Sequence, residues 1–373
     1  MEGALIIFSI SYSLLLIGLY WGWRKIPEAA VGEQLVGSDS LKFTVVIPVR
    51  NEEVSIGLLL EDLSQQSYQN FEVIVVDDHS EDQTASIVKG IVQSYDYFHY
   101  LQLPESKKGK KAALTEGIHQ GQGQWIVTTD GDCRVSLDWL KVLAHHLQGS
   151  TNKMVCGSVL FSPFNSLFEK MMAVEFSSAI GTGAACIGWK HPLMCSGANL
   201  AFERKAFWEV NGYQGNEHIA SGDDEFLLKK FVQQWPTSIT FIKAPAHVVR
   251  TLAPSGWKAL LQQRIRWAGK WRLQNGVSAK LLAVYMFFLH LTYAASPLLW
   301  MGGLLSSNAL FLAWLLRGGT EFFFLRDVLK SMTKSKVYYY TPFVVLWYSY
   351  YVVLVGLMGT FASYQWKQRK YTV

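Results

Sequence analysis

An α/β domain with a mostly parallel sheet, flanked at both ends by transmembrane helices, is the fold class that the sequence predicts. Two patterns lead there. Residues 41–246 alternate short β-branched runs with stretches of helical periodicity, as expected of strands joined by crossover helices. Hydrophobic residues make up 50% of the 373 and charged residues 17%, and the apolar excess, with 14 Trp, 17 Tyr and 21 Phe in the chain, is concentrated at the two ends. That distribution suits a soluble middle bounded by membrane spans. The net charge is +5, with much of the Lys and Arg beside apolar runs, a placement that fits anionic headgroups or phosphates and not a nucleic-acid partner. Cys133, Cys156, Cys186 and Cys195 have neither CxxC spacing nor the density of a disulfide scaffold, so a reduced, cytoplasmic middle domain without a zinc site is expected.

Taking the elements in order, residues 4–20 are apolar and uncharged, preceded by Glu2 and followed by Trp21, Trp23, Arg24 and Lys25. No basic segment precedes this run and no small-x-small cleavage site comes after it, so residues 1–25 read as a membrane anchor. The trailing positive charges place the α/β domain in the cytoplasm. Strands are expected over 43–48, 71–77, 97–103 and 125–129, with the ligand crevice at their carboxyl ends. The α/β domain occupies 41–255, an amphipathic interface helix 256–275, a C-terminal membrane region 278–365, and a basic tail 366–373. Within the membrane region, apolar blocks lie near 281–304, 308–325 and 338–361. The middle block holds Arg317 and Glu321, so it is either functional or not a simple span. Three spans would also leave Lys367, Arg369 and Lys370 outside, against the positive-inside rule, unless one segment is re-entrant.

Several motifs fall at the expected strand ends. The run of residues 73–80 ends a strand on Asp77 and Asp78, which by itself could be an ordinary strand-end turn. Asp130 and Asp132, two apart at the end of another strand, can approach one divalent cation, and hard oxygen ligands suit Mg²⁺ or Mn²⁺ bridging a diphosphate. Between them, Lys107, Lys108, Lys110 and Lys111 surround Gly109 at an expected helix start, a place that favours phosphate, although a solvated charged loop would look the same. Asp223, Asp224 and Glu225 open an amphipathic helix. They could simply complement the helix dipole, or one could act as a general base on an acceptor hydroxyl, for which Asp224 is the choice. Gln263, Arg266 and Trp267 share one helical face at i, i+3 and i+4. Arg266 can pair with a diphosphate, and Trp267 can stack on a sugar or lie at a membrane interface.

In this order, the paired Asp, the Gly-Lys loop, DxD, the acidic pair and QxxRW resemble the family 2 glycosyltransferases with a GT-A fold, over roughly residues 41–272. Ile47-Pro-Val-Arg-Asn-Glu-Glu53 is similar to the first nucleotide loop of that family, which brings Pro48, Arg50 and Glu52 to the donor. The resemblance further implies that Asp78 contacts the uracil of a UDP-sugar, Lys110 faces its phosphates, and Asp130 and Asp132 hold donor and metal. It makes Asp224 the base, with Asp223 in the place of the family's usual Glu, and closes the site with Gln263, Arg266 and Trp267. Ser196-Gly-Ala-Asn-Leu200 looks like the acceptor-side loop, around Asn199. Anchor, domain and C-terminal spans together resemble the membrane branch of the family, which includes ceramide glucosyltransferases, carotenoid-lipid glycosyltransferases, and hyaluronan, chitin and cellulose synthases. There is room for only about three later spans at ~20 residues each, and Trp366-Lys-Gln-Arg-Lys-Tyr371 resembles the WKGRxY ending of lipid-acting members. The expectation is therefore an inverting, metal-dependent transferase of the bacterial inner membrane with its catalytic domain in the cytoplasm. Its acceptor would be a membrane lipid or a lipid-linked molecule. A processive polysaccharide synthase and a non-catalytic subunit of an export complex are the rival readings.

Overall fold

The structure, a computed structural model, describes residues 2–29, 41–216, 222–269, 277–358, 364–366 and 369–371. Ser221, the end of the interface stretch beyond residue 269, and Lys367 and Gln368 of the tail lie outside the described residues. A long first helix, α1 (Glu2–Lys25), leads into alternating strands and helices: β1 (Phe43–Val49), α2 (Ile56–Ser64), β2 (Phe71–Asp77), α3 (Thr84–Val92), β3 (Phe98–Gln102), α4 (Lys110–Gln120), β4 (Trp125–Thr128) and α5 (Trp139–Leu147). Next come β5 (Met154–Gly157), β6 (Val159–Phe161), α6 (Leu167–Gly188), β7 (Leu200–Glu203), α7 (Arg204–Glu209), α8 (Asp223–Gln234), β8 (Ile239–Ile242) and β9 (Val249–Thr251). The chain ends with α9 (Trp257–Gly269), α10 (Val277–Met301), α11 (Ser307–Met332), α12 (Thr341–Met358), β10 (Tyr364–Trp366) and β11 (Arg369–Tyr371).

Seven strands form one sheet in the order β3-β2-β1-β4-β7-β5-β8. All neighbours are parallel except β7, which runs antiparallel to both β4 and β5. The inner strands β1 and β2 read FTVVIPV and FEVIVVD and are buried almost throughout, as strands covered by helices on both faces must be. Pro48 is tolerated in β1 because pairing with β4 stops at Val46↔Thr128, so its missing N–H is not needed on that side. The four expected strands match β1 to β4 within a residue or two. The antiparallel β7 was not foreseen, since a four-residue strand shows no periodicity of its own.

Among the described residues four helical stretches are long and apolar enough to cross a membrane: α1, α6, residues 280–301 of α10, and residues 337–358 through α12. The α6 helix was not among the expected spans. It starts with a reciprocal cap in which Ser166 Oγ accepts from the Glu169 N–H and Glu169 Oε2 accepts from the Ser166 N–H. It packs between the sheet domain and α1 and α11. A methyl on Gly188 would lie 2.0 Å from the Gly22 carbonyl oxygen, so α1 and α6 touch backbone to backbone.

Charge within the middle apolar block is resolved by pairing. Arg317 and Glu321 lie one turn apart on α11, with Arg317 Nε 3.0 Å from Glu321 Oε1, Tyr12 of α1 donating to the same carboxylate at 2.8 Å, and Arg317 Nη1 donating to Ser349 of α12 at 2.5 Å. Such burial is tolerable because each charge meets its partner. The α12 helix does not simply lead away from the sheet domain. The 3₁₀ turn before it, Val337–Tyr340, packs on α6 and α11, its Trp347 ring lies 5.1 Å from Trp257 of α9, and β10 after it packs on α9.

Candidate active site

The carboxyl ends of β1, β2 and β4, together with α6, α8 and α9, enclose a cavity of about 410 Å³. Pro48, Arg50, Glu52, Asp78, Lys110, Asp130, Asp132, Asp223, Asp224, Gln263, Arg266 and Trp267 all line it. Residues up to 219 positions apart are thus brought into one space, from Pro48 to Trp267.

At one end two strand-end loops are bolted together. Arg50, at the end of β1, is buried and donates from Nη1 to the Asp78 carbonyl at 2.8 Å and the His79 carbonyl at 2.5 Å, while Nη2 pairs with Glu81 at 2.8 Å. The Asp78 N–H donates to the Val49 carbonyl, and the Glu52 N–H to Thr84 Oγ1 at 2.7 Å. Asp77 accepts from Ser80 and from the Tyr100 hydroxyl. The pocket wall carrying Asp78 is therefore fixed before any ligand arrives.

The centre is acidic, with one lysine answering it. Lys110 is the first residue of α4, behind Gly109 at φ 95°, a conformation that favours glycine. Its Nζ lies 2.6 Å from Asp130 Oδ1 and 3.5 Å from Asp223 Oδ2. Burial works against the ammonium, but the Asp130 and Asp223 carboxylates outweigh it and hold the Lys110 pKa well above the ordinary lysine value. Asp223 and Asp224 differ in setting. Asp223 is buried and faces Lys110, whereas Asp224 Oδ2 accepts the Gly197 N–H at 3.0 Å and its Oδ1 accepts the Glu225 N–H at 2.8 Å. A methyl on Gly197 would come within 3.0 Å of Asp223 Oδ2, so the close approach depends on that glycine. Cys133 and Cys195 also line the cavity. Burial, with the Asp132 and Asp130 charges, pushes the Cys133 thiol up, and a hydrogen bond with Cys156 and burial do the same to Cys195. Both stay protonated and are poor ligands.

The donor set suits a hard cation. Asp130 and Asp132 face the cavity, and among the described residues no group of three or more His, Cys, Asp or Glu converges. Two carboxylates with phosphate oxygens and water completing the shell are what Mg²⁺ takes in nucleotide sites, and hard-ligand Mn²⁺ fits alike.

The opposite end is apolar, lined by Phe161 from β6, Phe176 and Ile180 from α6, Met194, Leu252 and Trp267. Gln263 Oε1 is buried there without a hydrogen-bond partner among the described residues. Asn199, expected on the acceptor side, is not in the lining. It is buried, its Nδ2 donates to the Ser158 and His247 carbonyls at 2.9 and 2.7 Å, and its Oδ1 accepts from Trp139 Nε1 at 3.1 Å. With both amide hydrogens donated and Oδ1 accepting from Trp139, the Asn199 side chain ties Ser158, which follows β5, to α5 and the 245–247 turn. From the same loop Ser196, Gly197 and Ala198 line the cavity, and the Gly197 N–H is the group bonded to Asp224.

Residues 44–210 match the family described as Glycosyl transferase family 2. The family match thus spans the sheet domain from β1 to α7. Among its curated relatives, the probable glycosyltransferase YdaM of Bacillus subtilis (strain 168) is 27% identical over 297 residues, covering 72% of this chain and 66% of that protein. The poly-β-1,6-N-acetyl-D-glucosamine synthase of Staphylococcus aureus (strain COL) is 24% identical over 255 residues, 66% of this chain and 58% of that protein. The chain spans less than two thirds of the length of these relatives. Among solved structures, the mannosyltransferase PcManGT from Pyrobaculum calidifontis, in complex with GDP-Man and Mn²⁺, superposes with a TM-score of 0.56 at 18% identity, over 96% of this chain and 99% of that one. The fold of the family 2 domain is the GT-A α/β arrangement.

Within the Ser196–Leu200 motif the sequence pointed to Asn199 and not to Gly197, and it assigned nothing to Glu175 and Arg264, which pair outside the cavity lining. A lone acid inside the apolar α6 run was the available signal for Glu175. Arg264 was overshadowed by its motif neighbours.

Proposed function

We propose that the protein is an inverting glycosyltransferase that moves one sugar from a nucleotide-diphosphate sugar, a UDP-sugar by preference, to a membrane lipid or lipid-linked acceptor. One observation carries this reading. A single cavity is lined both by Arg50, Asp78, Lys110, Asp130 and Asp132 and by apolar residues of α6 with Trp267 of α9, and Asp224 lines the same cavity. A nucleoside diphosphate fits the first set and the hydroxyl-bearing head of an amphiphile the second.

Asp224 accepts the proton of the acceptor hydroxyl as that oxygen attacks the anomeric carbon. The bond to the diphosphate oxygen breaks on the opposite face, and configuration inverts. Lys110 and Arg266 receive the departing charge. A divalent cation held by Asp130 and Asp132 supplies further charge neutralisation when bound. Gly197 orients the base through its N–H, and Trp267 and Gln263 border the acceptor. Residues 1–25 act as an anchor, 41–255 as the transferase domain, 256–275 as an interface helix and 278–365 as a membrane region, with the sheet domain cytoplasmic. Packing of the 337–340 turn on α6 and of β10 on α9 supports α12 as a re-entrant segment, which leaves the basic tail of 366–373 on the cytoplasmic side, as the positive-inside rule requires.

The test is nucleoside diphosphate release by the purified protein in membrane lipid extract, over a panel of UDP- and GDP-sugars with Mg²⁺ or Mn²⁺, with the products weighed by mass spectrometry. A single sugar added to a lipid supports the reading. A ladder of products makes the protein a polymer synthase, and no release with any donor refutes catalysis.

A further inference from the structure

The Gln263–Trp267 segment contains a second arginine with a different orientation. Gln263 and Arg266 line the cavity, but Arg264 turns towards α6. Its side chain is 7% exposed and pairs through Nη2 with Oε2 of Glu175, which is also 7% exposed. The same guanidinium lies 4.1 Å over the Trp267 ring. Trp267 in turn leans on Phe176, next to Glu175, with ring centroids 6.0 Å apart, and Phe176 stacks on Phe161 at 4.3 Å. Glu175 is the only acidic or basic residue of α6 after Lys170.

A buried charge pair is tolerated only when each member satisfies the other, so it dictates one relative placement of the two helices. Arginine suits this position because its planar guanidinium can bond a carboxylate in its plane and stack on an indole across its face, which an ammonium cannot do. From α6 the contact continues outward: Gly181 meets Val328 and Phe324 of α11, and Gly188 meets Gly22 of α1.

We propose that Glu175 and Arg264 are a positioning pair that fixes α9 to α6 and holds the Trp267 indole as the wall of the acceptor end of the cavity. The wall serves an acceptor only if the transferase reading holds, but the positioning itself does not depend on it. The pair acts through Trp267 and touches no reacting atom.

Hydrogen exchange read by mass spectrometry on the full chain in lipid nanodiscs tests the pair, with Arg264→Met, Glu175→Gln and Arg264→Lys compared with the unaltered protein. Arg264→Met and Glu175→Gln are expected to speed exchange over residues 257–269 by about tenfold or more while leaving residues 110–120 of α4 unchanged, with Arg264→Lys in between. In the nucleoside diphosphate release assay the same two variants should raise the acceptor KM about tenfold while kcat and the donor KM stay within about twofold. Unchanged exchange over 257–269 in both variants overturns the pair, and so does equal acceleration throughout the domain, which would make it a general fold contact. An unaltered protein that releases no nucleoside diphosphate from any donor removes the transferase reading, and the exchange result still decides the pair.

Discussion

Replacing Asp224 with Asn tests the division of labour between the two neighbouring carboxylates. In the folded protein Asp224 accepts two N–H groups, from Gly197 at 3.0 Å and Glu225 at 2.8 Å. An amide offers one oxygen, so Asp224→Asn turns an NH₂ group towards one of these donors and loses one hydrogen bond, which costs about 1 kcal/mol of stability. Loss of a general base costs about 10²- to 10⁴-fold in rate, equivalent to roughly 3–5 kcal/mol of transition-state free energy. The fall in kcat should therefore far exceed the change in folding. Donor affinity should hold, because Lys110, Asp130 and Asp223 keep their contacts. Asp223→Asn is the control: it removes a carboxylate 3.5 Å from Lys110 and should act mainly on donor affinity. The assay is nucleoside diphosphate release at saturating donor, with donor binding measured separately by calorimetry. Asp224→Asn with a kcat within about tenfold of the parent refutes the assignment, and a large kcat loss in Asp223→Asn moves the base to that residue.

Three further outcomes are expected. Lys110→Ala should weaken nucleoside diphosphate binding about tenfold or more in titration calorimetry. Because the folded Lys110 pKa is raised, its stabilising charge is fully present below the unfolded value of about 10.4 and lost only as pH rises through the higher folded value, so binding should stay flat from about pH 8 to 10. His247, buried with its Nδ1 3.0 Å from the Trp139 carbonyl, has its pKa lowered to about 4, chiefly by burial. The unfolded chain takes up that proton first as pH falls below about 6.5, so stability should drop by about 3 kcal/mol at most between pH 6.5 and 4, a slope that His247→Gln should flatten in thermal unfolding. Arg317→Met leaves Glu321 buried without its cation and should cost roughly 3–5 kcal/mol, part of which Arg317→Met with Glu321→Gln should restore in nanodisc melting curves.

What the sequence determined by itself is local. β-branched runs that end on Asp77 and before Asp130, a glycine ahead of Lys110, and the acidic opening of α8 are written in neighbouring residues. A parallel α/β sheet gathers its strand ends on one edge, which is why motifs far apart in the chain meet in one cavity. Packing across elements decided the rest. Asn199 and Gly197 stand two residues apart in one loop, yet the amide enters the core and the glycine N–H enters the site. Asp223 and Asp224 are adjacent, and Lys110 beside the first and the Gly197 N–H bonded to the second give them different settings. An apolar run such as α6 reads alike whether it faces lipid or a domain, and Arg317 in such a run looks prohibitive until Glu321, Tyr12 and Ser349 close around it. Periodicity fixes which face of an element is apolar, but the partner across that face is chosen only by the tertiary fold.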